Sequence, residues 1–270
     1  MIPETIPAVW AQLCEQAAES CRAEPVLASF YHSSVLRHDS MESALTNVLA
    51  ARLASAMLSP MLLQEIILEA MALDPAICEA ACADLRAHRT RDPACDSFVL
   101  PFLAFKGFHA LQVHRIAHAL WSRGRRWLAL MLQECAAVRF GVDIHPGARM
   151  GRGIMIDHGT GIVIGETAIV GDDVSMLHGV TLGGSGRTQG QRHPTVCSGV
   201  LFGAGAKVLG PVTIAEGARV GAGSLVLEDV PAHVTVAGVP ARIVGKPLSG
   251  APALDMDQRF TDPVEAGAPR

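Results

Sequence analysis

Apolar positions along the chain follow two different periods, and the change falls near residue 141. In the first 140 residues they recur at helical spacing: Leu62, Leu63, Ile66, Ile67 and Ala70 line one face of a helix expected over Met61–Leu73, opened by Ser59-Pro60. Asp74-Pro75 and Asp92-Pro93 each place an N-cap residue before a proline suited to the first helical position, so each predicts a helix start. Two more helices are expected over about 98–121 and 125–139, on either side of a break at Gly124. Both are rich in aliphatic and aromatic residues, which predicts that they are largely buried.

From about residue 142 the period becomes six. Aliphatic anchors fall at Ile144, Met150, Ile156 and Ile162, then after a two-residue slip at Ile164, Val170, Met176 and Leu182. The frame returns at Val196, Phe202, Val208, Ile214, Val220 and Val226. Four places after the anchors stand small or β-branched residues (Ala148, Thr160, Ala168, Val174, Val180, Ala206, Val212, Ala218, Ser224), and glycine often follows an anchor directly. A hexapeptide period of this kind predicts a parallel β-helix in which each repeat supplies a short strand and a turn, with the anchor pointing inward. The expected architecture is therefore α + β: a helical domain over 1–140, a β-helix over 141–248 and a flexible C-terminal tail over 249–270.

Composition narrows the function. The chain has 270 residues, 50% hydrophobic and 18% charged, and a formal net charge of −4. Residues 1–140 hold 12 Lys/Arg against 14 Asp/Glu, and 141–270 hold 10 against 12, so neither half offers a basic surface for nucleic acid. The N-terminus lacks the basic and apolar regions of a signal peptide, and the longest apolar stretches fall short of the ~20 residues of a membrane helix. A cytoplasmic protein without membrane partners is expected. Seven cysteines without a CxxC pair read as reduced thiols; Cys78 and Cys82, one helical turn apart, read as core packing rather than a metal site.

Candidate chemistry clusters where the repeat breaks. Between Leu182 and Val196 runs a glycine-rich excursion, Gly183 to Thr195, that ends in Arg192-His193-Pro194-Thr195. Glycines permit close backbone approach to a ligand, and Arg192-His193 can pair with a carboxylate or phosphate. Nearby lie Val142-Asp143-Ile144-His145 and Asp157-His158-Gly159-Thr160-Gly161. A histidine beside carboxylates is a candidate general base for a hydroxyl nucleophile.

The strings DPACD, KGFHALQ, GVDIHPGARMGRGIMIDHGTGIVIGE, VTLGGSG, RHPTV, GAGAKVLG and AGVPARIVGKP resemble those of serine acetyltransferases, over roughly residues 40–248. The resemblance implies a left-handed β-helix and transfer of acetyl from acetyl-CoA to the hydroxyl of L-serine, the first step of cysteine biosynthesis. It implies His158 as general base, oriented by Asp143, with Asp92 and Asp157 on the substrate ammonium and Arg192 and His193 on its carboxylate. Acetyl-CoA is expected near Gly184, Ala204, Arg219, Ala222 and Lys246, with no metal. A trimer-based hexamer with sites between neighbouring β-helices and feedback inhibition by L-cysteine are also implied. Three positions depart from the family: Gly159 stands where alanine is usual, Arg187 where lysine is usual, and the chain ends in Gly267-Ala268-Pro269-Arg270 rather than isoleucine. The last departure predicts that the tail does not dock into cysteine synthase.

Other readings of the residues remain. A metal-dependent lyase of the γ-carbonic anhydrase type needs three converging histidines; His145, His158, His178 and His193 are numerous enough, but the HxxxxH pair is missing from the β-helix. An acetyltransferase for homoserine or a sugar would use the same base, and a scaffold would use only the β-helix. Asp92, Asp157 and Arg192 together favour an amino-acid acceptor. His114 and His118 lack the glutamate of HExxH and read as packing residues.

Overall fold

The computed structural model describes residues 2–186, 190–247 and 249–259. Its first part is helical: α1 (Ile6–Ala23), α2 (Ala28–Tyr31), α3 (Met41–Leu53), α4 (Pro60–Leu73), α5 (Ala76–Arg91), α6 (Val99–Ala104), α7 (Lys106–Ser122) and α8 (Arg126–Phe140). The starts follow side-chain capping. Ser59 Oγ accepts the Leu62 N–H ahead of α4, and Asp74 Oδ1 accepts the Ala76 N–H ahead of α5. Gly124 (φ +80°) separates α7 from α8, and Gly141 (φ +67°) turns the chain out of α8 into the first coil.

Three expectations fail here. The helix over 125–139 is not largely buried, since Trp127, Met131 and Val138 of α8 are exposed. Asp92-Pro93 opens no helix: Asp92 is the C-cap of α5, and its Oδ1 accepts the Ala94 N–H at 2.8 Å to close a tight turn. The stretch 98–121 is two helices, split at Phe105 (ψ 110°). That bend sets Gly107, at the start of α7, directly against the backbone of Ile156.

The second part is a parallel solenoid of about five coils with three walls. The first wall stacks β1 (Val142–Ile144), β4 (Ile162–Ile164), β7 (Thr181–Gly183), β10 (Lys207–Leu209) and β13 (Leu225–Val226). The second stacks β2 (Arg149–Met150), β5 (Ile169–Val170), β8 (Thr195–Val196) and β11 (Thr213–Ile214). The third holds β3 (Met155–Ile156), β6 (Ser175–Met176), β9 (Leu201–Phe202), β12 (Arg219–Val220), β14 (Thr235–Gly238) and β15 (Ala241–Gly245), the last pair antiparallel. The anchors read from the period point inward and are buried, with Met150 partly so. Each such aliphatic side chain contributes about 1.5–3 kcal/mol by leaving water.

Coil length is not constant. Val163 faces Thr181, eighteen positions on, and Lys207 faces Leu225, also eighteen on. Met155 faces Ser175, twenty on, and Ile169 faces Thr195, twenty-six on. The two extra residues of the first coil sit in the turn Asp157–Gly161, and the eight of the later coil sit between β7 and β8. Both insertions lie at edges of the prism, where a longer turn leaves the walls in register.

A buried ion pair joins the helices to the first coil. Asp84 Oδ2 on α5 meets Arg115 Nη2 on α7 at 2.8 Å, and both side chains are nearly or fully buried. Arg115 also donates to the carbonyls of Met150 (3.3 Å) and Gly151 (2.7 Å), while Asp84 Oδ1 accepts the Ile154 N–H at 2.9 Å. His118 Nδ1 bonds to the Pro146 carbonyl, and His114 is buried beside it, so both histidines serve packing. Past the solenoid, residues 251–259 are tied to the third wall, although they fall within the stretch 249–270 expected as a tail. Pro252–Asp255 forms α9, Ser175 Oγ donates to the Ala253 carbonyl, and Arg219 Nη1 donates to the carbonyls of Asp257 and Arg259. Residues 260–270, including the non-isoleucine end, lie outside the described residues, as does Arg187.

Two stability outcomes follow. A methyl group on Gly107 would stand 2.2 Å from the Ile156 carbonyl oxygen, so Gly107→Ala should lose about 1–3 kcal/mol in urea unfolding. A gain of the ~1 kcal/mol expected from helix propensity alone would overturn the close contact. Arg115→Met leaves the Asp84 carboxylate buried without its partner and should lose about 3–5 kcal/mol, where a near-neutral change would show that the pair is not isolated from water.

Candidate active site

His158 stands on the edge between the third and first walls, inside the two-residue insertion. It adopts φ +57°, a left-handed conformation uncommon for a residue with a side chain, and its imidazole is 74% exposed. Gly159 beside it also has a left-handed φ of +72°, which suits glycine at this position. His158 Nε2 lies 3.9 Å from Asp157 Oδ2, and its ring is edge-on to His178, one coil along, at 6.0 Å. Lys106 Nζ, from the start of α7, donates to Thr160 Oγ1 and pins the same turn to the helices.

Backbone bonds run down this edge from coil to coil: Gly161 N–H to Gly141, Gly179 to Thr160, Gly205 to His178 and Gly223 to Ala204. Ala204 and Ala222 therefore lie on the His158 edge, further along the solenoid. Arg219 is on the adjoining third wall, buried, with Nε on Thr235 Oγ1, and lines a small cleft with Ala222 and Gln258. Lys246 follows β15 on that wall.

Asp143 lies on β1 of the first wall, between inward-facing Val142 and Ile144. Its Oδ1 accepts from Gln133 Nε2 of α8 at 2.6 Å. Among the described residues no hydrogen bond or ion pair joins Asp143 to His158. Asp92 sits where α5 ends, over the third wall. The preceding Arg91 pairs with Asp173 (2.7 Å) and donates to Ser175 Oγ (3.1 Å). Asp173 precedes β6 and Ser175 opens it, so α5 ends over the start of that strand, and among the described residues no hydrogen bond or ion pair joins Asp92 to Asp157 or His158.

Arg192 and His193 occupy the other end of the first wall, with Gly184. The His193 ring lies flat over Gly165, where any side chain would collide with it at 2.0 Å, and Gly184 is close to its Nε2. Burial, then the Arg192 guanidinium, push the His193 pKa down, and Glu166 pulls it back in part. Arg192 Nη2 pairs with Glu166 Oε2 at 2.5 Å, which holds the Glu166 carboxyl below its usual range. His145 shares this edge, its pKa lowered by burial, with its ring against Trp121.

The expected site residues thus fall into two groups: His158 and Asp157 stand at one edge, and Arg192, His193 and Gly184 at the next. A three-residue strand, about 10 Å at ~3.3 Å per residue, separates them. Two cavities, about 780 and 420 Å³, lie beside α5 on the edge between the second and third walls, and neither is lined by any expected site residue. Among the described residues no group of three or more His, Cys, Asp or Glu is arranged to hold a metal, and no helix is long and apolar enough to cross a membrane. Sequence reasoning missed Glu166, Thr167, Gln133 and Lys106. For Glu166 and Thr167 a signal existed, since a loop inserted between coils must rest on the turn of the coil before it.

Comparison with known proteins agrees with this architecture. The family model "Serine acetyltransferase, N-terminal" matches residues 9–113. The serine acetyltransferase of Salmonella typhimurium is 53% identical over 257 residues, covering 95% of this chain and 94% of the relative. The crystal structure of serine acetyltransferase from Vibrio cholerae superposes with a TM-score of 0.93 at 54% identity, covering 95% of this chain and 99% of that one. A serine acetyltransferase solved in complex with cysteine matches at a TM-score of 0.93 and 48% identity, covering 95% and 100%. The helices that carry Asp92, the coiled repeat and both edge insertions are thus parts of one known enzyme, and this chain belongs to the serine acetyltransferase family of acetyl-CoA-dependent acyltransferases.

Proposed function

We propose that the chain makes O-acetyl-L-serine by direct attack, with His158 as general base. The observation that carries this is an outward imidazole on a left-handed turn, 3.9 Å from Asp157 and with no hydrogen bond to its ring among the described residues. His158 takes the proton from the serine hydroxyl as its oxygen attacks the thioester carbonyl carbon. The tetrahedral intermediate expels the CoA sulfur, and the imidazolium returns its proton to that sulfur. No acyl-enzyme forms. Asp143 orients His158: its Oδ2 is uncommitted among the described residues, and the exposed ring is free to turn toward it. Solved relatives hold CoA, serine and cysteine, which supports acetyl-CoA and L-serine as substrates here and L-cysteine as an inhibitor at the serine site.

The separation of the two groups supports a site shared between two copies. Asp92, Asp157 and His158 of one copy receive the ammonium and hydroxyl, and Arg192 and His193 of the next receive the carboxylate. A closed ring of three, doubled to a hexamer through the helical domains, satisfies that geometry. Ala204, Arg219, Ala222 and Lys246 then face the acetyl-CoA from the first copy, and Gly184 from the second.

His158→Ala should reduce serine-dependent thioester loss at least ~10²-fold while leaving the fold intact. Turnover near that of the wild type, or equal turnover with L-homoserine, would sink the mechanism or the acceptor. Co-assembly of equal amounts of His158→Ala and Arg192→Ala chains should restore roughly a quarter of wild-type activity, the share of restored contacts in a randomly mixed ring. Complete absence of rescue in mixed hexamers, with their mass verified by light scattering, would place each site within one copy.

A further inference from the structure

The turn Gly165–Ala168 lies one coil before the inserted loop, and a single side chain in it holds the whole Arg192-His193 pair. Thr167 Oγ1 accepts the backbone N–H groups of Arg192 (3.0 Å) and His193 (3.1 Å). The same oxygen lies 2.9 Å from His193 Nδ1, and the Thr167 backbone N–H donates to Nδ1 at 3.2 Å. Gln191 Nε2 completes the bracket by bridging the carbonyls of Thr167 (2.7 Å) and His193 (2.8 Å).

These donors decide where the ring proton sits. A backbone N–H can only donate, so the Nδ1 that receives it presents a lone pair. Thr167 Oγ1 already accepts two N–H groups, which leaves its own hydrogen free to point at the same Nδ1. The neutral ring must then carry its proton on Nε2. A proton on Nδ1, whether in the other tautomer or in the imidazolium, would face the Thr167 N–H head-on. Nε2 itself has no protein partner among the described residues, although His193 is only 8% exposed. The Nε2–Cδ2 edge of the ring fills the space a side chain at Gly165 would need, and Gly184 lies close to Nε2.

We propose that Thr167 is a positioning residue that locks His193 as the Nε2–H tautomer, so that the ring offers a neutral hydrogen-bond donor to the carboxylate of the bound amino acid. The inference rests on the reading that His193 grips that carboxylate. It divides the labour at this edge. Arg192 supplies charge, and His193 supplies direction without adding a second positive charge beside Arg192, Glu166 and His145, which face the same ring.

The test is magic-angle-spinning NMR on the full-length protein with 13C,15N-labelled histidine, with His193 assigned by difference from His193→Gln. At neutral pH the wild type should show the Nε2–H tautomer for His193, with and without L-serine. An Nδ1–H ring or an imidazolium would overturn the proposal, even if no Thr167 variant folds. Thr167→Val keeps the backbone donor to Nδ1 but removes the Oγ1 that holds the Arg192 and His193 N–H groups, so it should raise the KM for serine about tenfold with the KM for acetyl-CoA unchanged, and Thr167→Ser should restore it. A wild-type serine KM in Thr167→Val would overturn the positioning role. His193→Gln separates the two readings: an unchanged serine KM there sinks the carboxylate clamp itself, whereas the tautomer is still judged by the NMR signal.

Discussion

The geometry of the helical half depends on one buried carboxylate. Asp84 accepts from Arg115, Gln112 and the Ile154 backbone, and Arg115 in turn caps the carbonyls that end β2. Burial pushes the Asp84 pKa up, and these donors pull it back down. A pair of this kind adds little net stability over an apolar substitute. What it does add is registry: it ties α5 and α7 to the Met150 and Gly151 carbonyls and the Ile154 N–H of the first coil. Once α5 is fixed there, its C-terminal Arg91 reaches Asp173 and Ser175, which ends α5 over the third wall.

A regular solenoid coil has no place for chemistry. Its inward positions must be apolar to fill the prism, and its turns repeat so that each rests on the last. Both insertions break that rule at an edge, where the walls can stay paired while the turn grows. Two extra residues suffice to put His158 and Gly159 in left-handed conformations and push an imidazole into solvent. Eight extra residues bring Arg192 and His193 back against the coil before them. Irregularity in the repeat and candidate chemistry coincide because only the irregular turns have side chains that are not already committed to stacking.

The strand walls were legible because the six-residue anchor pattern is imposed by the interior and survives every change at the surface. The first insertion was legible too, as the slip from Ile162 to Ile164; both residues turn out to point inward from β4. The split at Phe105 and the turn at Asp92-Pro93 were not. Each is decided by a contact far along the chain, Gly107 on Ile156 and Arg91 on Asp173 and Ser175, which local propensity does not encode. Glu166 and Thr167 were passed over although the inserted loop pointed to them, since their partners Arg192 and His193 stand 26 positions on and the regular period alone does not pair them. The identity of His158 and Asp143 as a working pair rested on resemblance, and in the unliganded chain Asp143 is held by Gln133 instead.

On the proposed reading, the edge that carries Arg192 and His193 is built to be given up to the substrate carboxylate. Glu166 and Arg192 are each about a third exposed, at 34% and 36%, so their ion pair is solvent-screened and worth only about 0–1 kcal/mol. An arriving carboxylate meets a guanidinium with donors to spare, held in the right place by Thr167 rather than by its own ion pair. Glu166 therefore keeps Arg192 extended and neutralised while the edge is empty, at little cost when a second carboxylate joins it. His193, kept neutral by burial and by the lone pair it turns to Thr167, adds a donor without the repulsion that a second cation would bring. An α-amino acid fits such an edge better than a sugar hydroxyl does, because only the amino acid brings the negative charge that Arg192 is placed to meet.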